Sequence, residues 1–218
     1  NRLQQATGGL VEAFEFMPRT YLDQLRARRP DFGLPVAEIH DVTILVELDA
    51  TAPRDTTPLP DGPVPLTTLL EEMLAAMMED GRVRDATLAR TEAQRRAIRA
   101  RREAAAEITV GHGHTVDTDV ALPLDQVDAF LSRALAATER IDPGAGTNTV
   151  AHLGNGNLHD TVIPTRKDAA LDIALDAAPT ETVEGIVADL GGSFSAEPGS
   201  DWRNFPRCGG GRIRLPSR

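Results

Sequence analysis

A single cysteine, Cys208, excludes an internal disulfide and any cysteine-rich metal site in this 218-residue chain. Aromatic residues make up only 4%, so the core has to be built from Leu, Val, Ile and Ala. Long apolar runs are missing, and with 41% hydrophobic residues the composition is that of a globular chain without a membrane span. Positive charge is scarce. The 23 Lys and Arg against 33 Asp and Glu leave a net charge of −10, which argues against nucleic acid as a partner because phosphate binding needs a basic face. No Gly-rich phosphate loop, G-x-S-x-G or H-E-x-x-H occurs. The opening Asn1-Arg2-Leu3-Gln4-Gln5 has neither an initiator Met nor a charged-then-apolar signal peptide. A fragment of a longer cytoplasmic chain is expected.

Periodicity gives the elements. Alternation through Val11, Ala13 and Phe14-Glu15-Phe16 predicts a strand over residues 10–17, stopped by Pro18. Tyr21, Leu22 and Leu25 predict a helix over 19–28, and Val42, Ile44, Val46 and Leu48 predict a strand over 41–48 with one wet face. The proline-rich stretch 49–65 reads as a loop. Thr68-Leu69-Leu70-Glu71 fits a capping box, followed by the stripe Leu69, Met73, Leu74 and Met77 before Gly81. Methionines so spaced read as core filler, with a binding groove as the alternative. A short strand is predicted over 84–89. Thr91-Glu92-Ala93-Gln94 opens a helix to about Glu107, whose many arginines form a mostly solvated face.

Gly111-His112-Gly113-His114 reads as a flexible loop. Asp119-Val120-Ala121-Leu122 is a strand ended by Pro123, and Val127, Phe130, Leu131 and Leu135 mark an amphipathic helix over 124–140. Helical spacing returns over 167–178 and again after Pro179 to Leu190, where Gly191-Gly192 supplies a C-cap. Residues 193–197 follow as a short strand or turn. Amphipathic strands alternating with helices predict an α+β fold, an antiparallel or mixed sheet with helices on one face.

The chain centres on Ala151-His152-Leu153-Gly154-Asn155-Gly156-Asn157-Leu158-His159-Asp160. An Asn-Gly pair is a strong signal for a type I′ hairpin turn. Centred on Asn155 and Gly156, that turn sets His152 directly opposite His159, on one face with Cβ atoms ~5 Å apart. Two imidazoles so placed suit one divalent metal. An ordinary surface hairpin is the alternative.

Three ordered segments, Asp119-Val120-Ala121-Leu122-Pro123-Leu124, His152-Leu153-Gly154-Asn155-Gly156-Asn157-Leu158-His159 and Gly191-Gly192-Ser193-Phe194-Ser195-Ala196-Glu197, resemble the C-terminal cap domain of FAD-linked oxidases. That family includes cytochrome-type D-lactate dehydrogenases, FAD-linked glycolate oxidases and D-2-hydroxyglutarate dehydrogenase. Its hallmark is G-H-L-G-D-G-N-L-H followed by G-G-S-x-S-A-E-H-G, and Ala13-Phe14-Glu15-Phe16-Met17 resembles the start of its cap. The resemblance covers roughly residues 1–199 and implies a ferredoxin-like cap domain. It further implies FAD as cofactor, held mainly by an N-terminal domain absent here, and a divalent metal, zinc by preference, on His152, His159 and Glu197. Asn157 corresponds to an asparagine near flavin and substrate, and Arg102 to an arginine that anchors the carboxylate of a small 2-hydroxyacid. A solvated helix arginine is the alternative for Arg102, and a homodimer stays open.

The chain departs from the family in several places. The catalytic base, a histidine after the glutamate, is replaced by Pro198, which can neither take nor give a proton. Asn155 stands where an aspartate is usual. Asp117 and Thr161 occupy positions that carry a lysine and an asparagine in hydroxyglutarate enzymes, which points away from hydroxyglutarate and toward D-lactate- or glycolate-like substrates. The fragment alone is therefore expected to be inactive. A non-catalytic metal-binding or interaction domain that keeps the fold is the competing reading. Residues 200–218 do not follow the family. Codon degeneracy around Asp201-Trp202 permits a family-like continuation in another frame, so a frameshift near Pro198 is expected, with a divergent natural tail as the alternative.

Overall fold

The alternating segments build an antiparallel sheet. In the computed structural model, residues 2–33, 36, 38–110, 115–166, 183 and 185–194 are described. Strands β1 (Val11–Pro18), β2 (Val42–Leu48), β3 (Val116–Ala121), β4 (Gly146–His152), β5 (Asn157–Ile163) and β6 (Ser193–Phe194) lie in the order β2-β1-β4-β5-β3-β6. Every pairing is antiparallel. The helices are α1 (Arg2–Ala6), α2 (Arg19–Arg28), α3 (Pro53–Thr56), α4 (Pro65–Glu79), α5 (Glu92–Glu103), α6 (Ala105–Val110) and α7 (Val127–Ile141).

Side chains alternate across a strand, so neighbouring residues report opposite faces. Phe16 and Ala151 belong to a core with Val120, Leu158 and the α7 residues Val127, Phe130, Ala134 and Ala137. Their neighbours Met17 and Val150 belong to a second core with Tyr21, Leu22 and Leu25 of α2 and Ala105 and Ile108 of α6. The α+β class with an antiparallel sheet is as expected. The helices, however, are shared between both faces, because β1 and β4 carry apolar residues on each side. Removing a large side chain such as Phe130 or Leu22, both at 0% exposure, from water is worth ~1.5–3 kcal/mol.

Proline and glycine set several element ends. Pro18 ends β1 and stands at the N-cap of α2. Gly81 takes φ +69 after α4, and the Arg82 N–H reaches the Met77 carbonyl at 2.9 Å, closing the helix. Gly191 repeats this at φ +71, with the Gly192 N–H on the Val187 carbonyl at 2.8 Å. The helix opens at Thr91 as expected, through a capping box with Gln94.

The Thr68 box does not form. Helix α4 starts earlier, at Pro65, whose fixed φ suits a first helical turn, so Thr68 lies inside the helix. The predicted helix from Thr91 to Glu107 is two helices. It breaks at Ala104, which lets Ala105 and Ile108 turn into the core under α2, and Arg28 Nη1 donates to the Ile108 carbonyl at 3.0 Å. Residues 84–89 form no strand. They line a groove of about 970 Å³ together with Met73, Leu74 and Met77. Helix α4 has no buried residue, so Met73 and Met77 line a groove rather than fill a closed core. The His112 and His114 loop, the helix over 167–178 and everything from Ser195 onward lie outside the described residues. Among the described residues no helix is long and apolar enough to cross a membrane.

Candidate functional site

The hairpin forms, with a different turn. Its register pairs His152 with Asn157, Ala151 with Leu158 and Val150 with His159, leaving residues 153–156 as a four-residue loop. A type I′ turn needs positive φ at both central residues. Here only Gly156 has it, at +77, and no described non-glycine residue does. The Asn155 and Gly156 N–H groups both point to the His152 carbonyl, at 3.2 and 3.0 Å. His152 is therefore not directly opposite His159 but diagonal to it on the same face.

Gly156 is required twice over. A Cβ on it would lie 2.1 Å from the Leu122 carbonyl oxygen, because the Leu122 N–H donates to the Gly156 carbonyl at 2.9 Å. That bond ties the hairpin tip to the end of β3. Asn155 Oδ1 accepts from the Asn157 N–H at 3.0 Å, so Asn155 shapes the loop through its side chain.

The imidazoles of His152 and His159 meet edge to face, with centroids 5.3 Å apart and planes at 84°. Zn–N bonds of ~2.0–2.1 Å set each ring centroid ~3.2 Å from the ion, so two rings at a tetrahedral angle stand ~5.2 Å apart. The centroid separation therefore matches that of two ligands on one divalent ion. Among the described residues no group of three or more His, Cys, Asp or Glu comes together around a metal position. Glu197, the expected third ligand, lies outside them. Strand β6, just ahead of Glu197 in sequence, pairs with Val120 and Ala121 beside Asp119.

Each histidine has a carboxylate directly across from it on its outer neighbouring strand. Glu15 pairs in register with His152 and its oxygens lie 2.8 and 2.9 Å from Nδ1. Asp119 pairs with His159 and lies 2.6 Å from its Nδ1. Neither carboxylate is apparent from sequence spacing alone, because each belongs to a strand distant in sequence from the hairpin.

Arg102, at the end of α5, is mostly buried with its Nε 3.0 Å from Glu15 Oε2. The resemblance implies that it anchors a substrate carboxylate; in the structure it lies against Glu15, and its Nη2 finds no hydrogen-bond acceptor among the described residues. Arg95 and Arg99 on the same helix pair with Glu47, which accounts for part of the arginine-rich surface. Asn157, 5% exposed, is the residue across from His152. One step further along this face Thr161 Oγ1 donates to Asp117 Oδ1 at 2.5 Å, and Thr115 donates to Oδ2 at 3.0 Å. On the opposite face Asp160 accepts from Thr149 Oγ1 at 2.5 Å, and burial raises its pKa above the usual carboxylate value.

The family model for FAD linked oxidases, C-terminal domain, matches residues 1–200. No curated protein matches the chain.

Proposed function

This chain belongs to the C-terminal domain family of FAD linked oxidases, and from that premise we propose that it is the substrate- and metal-binding domain of a flavin-dependent D-2-hydroxyacid dehydrogenase. The family makes the parent protein an oxidoreductase with FAD as its cofactor. An N-terminal domain would hold most of the flavin, which would supply the hydride acceptor for the substrate α-carbon. The observation that supports the finer reading is the meeting of His152 and His159 at 5.3 Å on one sheet face.

His152, His159 and Glu197 hold a divalent ion, zinc by preference, and a two-His, one-Glu set leaves positions open for substrate. Bound there, the ion supplies Lewis acidity toward the hydroxyl and carboxylate oxygens of the substrate. Arg102 lies against Glu15, the carboxylate that also meets His152, and the rest of its guanidinium has the fork geometry that suits a substrate carboxylate. Asn157 faces flavin and substrate beside the same histidine. Asp117, hydrogen-bonded to Thr161, repels a second carboxylate on the substrate, which favours a D-lactate- or glycolate-like monoacid over hydroxyglutarate. Pro198 provides no proton acceptor, so the chain alone does not turn over substrate.

The test has two stages. Purified without chelator, the chain is expected to carry about one zinc or manganese, and His152→Ala with His159→Ala to lose it. Fused to a flavin domain and given Pro198→His, it is expected to reduce a dye with D-lactate or glycolate. Failure with every D-2-hydroxyacid counts against the enzyme reading. Pro198 favours a second reading, a domain that keeps fold and metal without chemistry; it predicts bound metal and no dye reduction.

A further inference from the structure

A neutral imidazole has one N–H donor and one lone-pair acceptor, and an ionised carboxylate only accepts. A carboxylate against Nδ1 therefore demands Nδ1–H and leaves Nε2 as the lone pair. An unconstrained neutral imidazole favours the opposite tautomer, Nε2–H. His152 Nδ1 is hydrogen-bonded to Glu15 Oε1 at 2.9 Å and His159 Nδ1 to Asp119 Oδ1 at 2.6 Å, so both rings are biased alike. We propose that Glu15 and Asp119 are positioning residues that hold His152 and His159 in the Nδ1–H tautomer, presenting both Nε2 lone pairs to one shared ion.

Three features support the assignment. Each carboxylate stands directly across the sheet from its histidine, so backbone pairing sets its place. Glu15 is mostly buried and wedged between His152 and Arg102, whose Nε lies 3.0 Å from Oε2, so its side chain has little freedom to leave the ring. The two pairs flank the hairpin from opposite sides, β1 on one and β3 on the other, which turns the rings toward each other. Carboxylates in this relation to a metal-binding histidine fix ring orientation and raise ligand basicity. The metal part of the proposal rests on the reading of the histidine pair given above; the tautomer part stands without it.

The experiment uses the whole chain. Nitrogen-15 spectra of metal-free protein at about pH 8, above the ordinary imidazole pKa, are expected to show Nδ1–H at both histidines, their signals assigned with His152→Gln and His159→Gln. Nε2–H at both overturns the proposal. Zinc affinity, read by chelator competition, is expected to fall about 10–100-fold in Glu15→Gln and in Asp119→Asn. Among the described residues no buried arginine stands behind Asp119, so its variant still decides the matter where loss of Glu15 unfolds the chain. Glu47→Gln removes a same-face carboxylate that pairs with Arg95 and Arg99 and is expected to bind zinc as the unaltered chain does. Equal losses in all three variants reduce the effect to net charge and overturn the proposal, as does unchanged affinity in Asp119→Asn. A chain that binds no zinc overturns the metal reading and the metal part here, and the tautomer spectrum then decides the rest.

Discussion

Replacing Gly156 by alanine tests the loop geometry on which the site depends. At φ +77 an L-residue incurs ~1–2 kcal/mol from its Cβ alone. The added methyl would also stand 2.1 Å from the Leu122 carbonyl oxygen, about 1 Å inside an ordinary contact. Leu122 is buried among Val120, Val127 and Phe130, so it has little room to retreat. Relief comes by losing the bond from the Leu122 N–H to the Gly156 carbonyl, worth ~0.5–1.5 kcal/mol net. The total is a loss of about 1.5–3.5 kcal/mol, or roughly 3–14 °C in Tm for a chain of this size. Gly154, in the same loop, is the matched comparison. Its φ is not positive and its Cβ would meet nothing within 4 Å, so Gly154→Ala is expected to stay within about 0.5 kcal/mol. Urea unfolding with linear extrapolation measures both. Equal stability of the two variants, or a Gly156→Ala chain as stable as the parent, refutes the reasoning.

Other outcomes follow from single residues. Phe130→Ala, at a fully buried position under the sheet, is expected to cost about 3–5 kcal/mol by urea unfolding, and less than about 1.5 kcal/mol means that α7 does not anchor this core. Tyr21 is the only tyrosine, so the change in near-ultraviolet absorbance on phenolate formation reads it alone, the one tryptophan having no proton to lose in this range. Burial, opposed by the nearby Arg102 charge, raises its pKa to about 12. The phenol form is favoured by folding, so its stabilisation is complete below the unfolded value of about 10 and is lost as pH rises from there through 12. Ionisation of the folded chain at about 10 contradicts the buried setting. Sequencing the encoding DNA beyond the codon for Pro198 is expected to reveal a family-like continuation in another frame, and its absence ends the frameshift idea.

Local signals were strongest where one residue type leaves few choices. Pro18 marks the change from β1 to α2, and Thr91 with Gln94 closes a capping box, so these ends are legible from sequence. Thr68 has the same signature and fails, because Pro65 three residues earlier already starts the helix. The break at Ala104 carries no glycine or proline; it comes from burial of Ala105 and Ile108, a tertiary effect that periodicity does not record. The type I′ expectation failed at Asn155, whose side chain instead accepts the Asn157 N–H. Helices on both faces follow from Phe16 beside Met17 and Val150 beside Ala151, adjacent apolar pairs that simple alternation treats as noise.

The histidine pair survives the wrong turn for a physical reason. In the observed register His152 faces Asn157 rather than His159, a displacement of two residues along the partner strand. Side chains alternate with a period of two, so an even displacement leaves every residue on its original face, whereas an odd one would have sent one imidazole through the sheet. What the register did change is how the rings are held. Diagonal neighbours are not clamped by direct pairing, and here the clamping falls to Glu15 on β1 and Asp119 on β3, each directly across from its histidine. The site is thus a property of four adjacent strands, β1-β4-β5-β3, rather than of a hairpin. Residues 15, 119, 152 and 159 meet because the sheet order places the hairpin in its centre, with one distant strand on either side to supply a carboxylate.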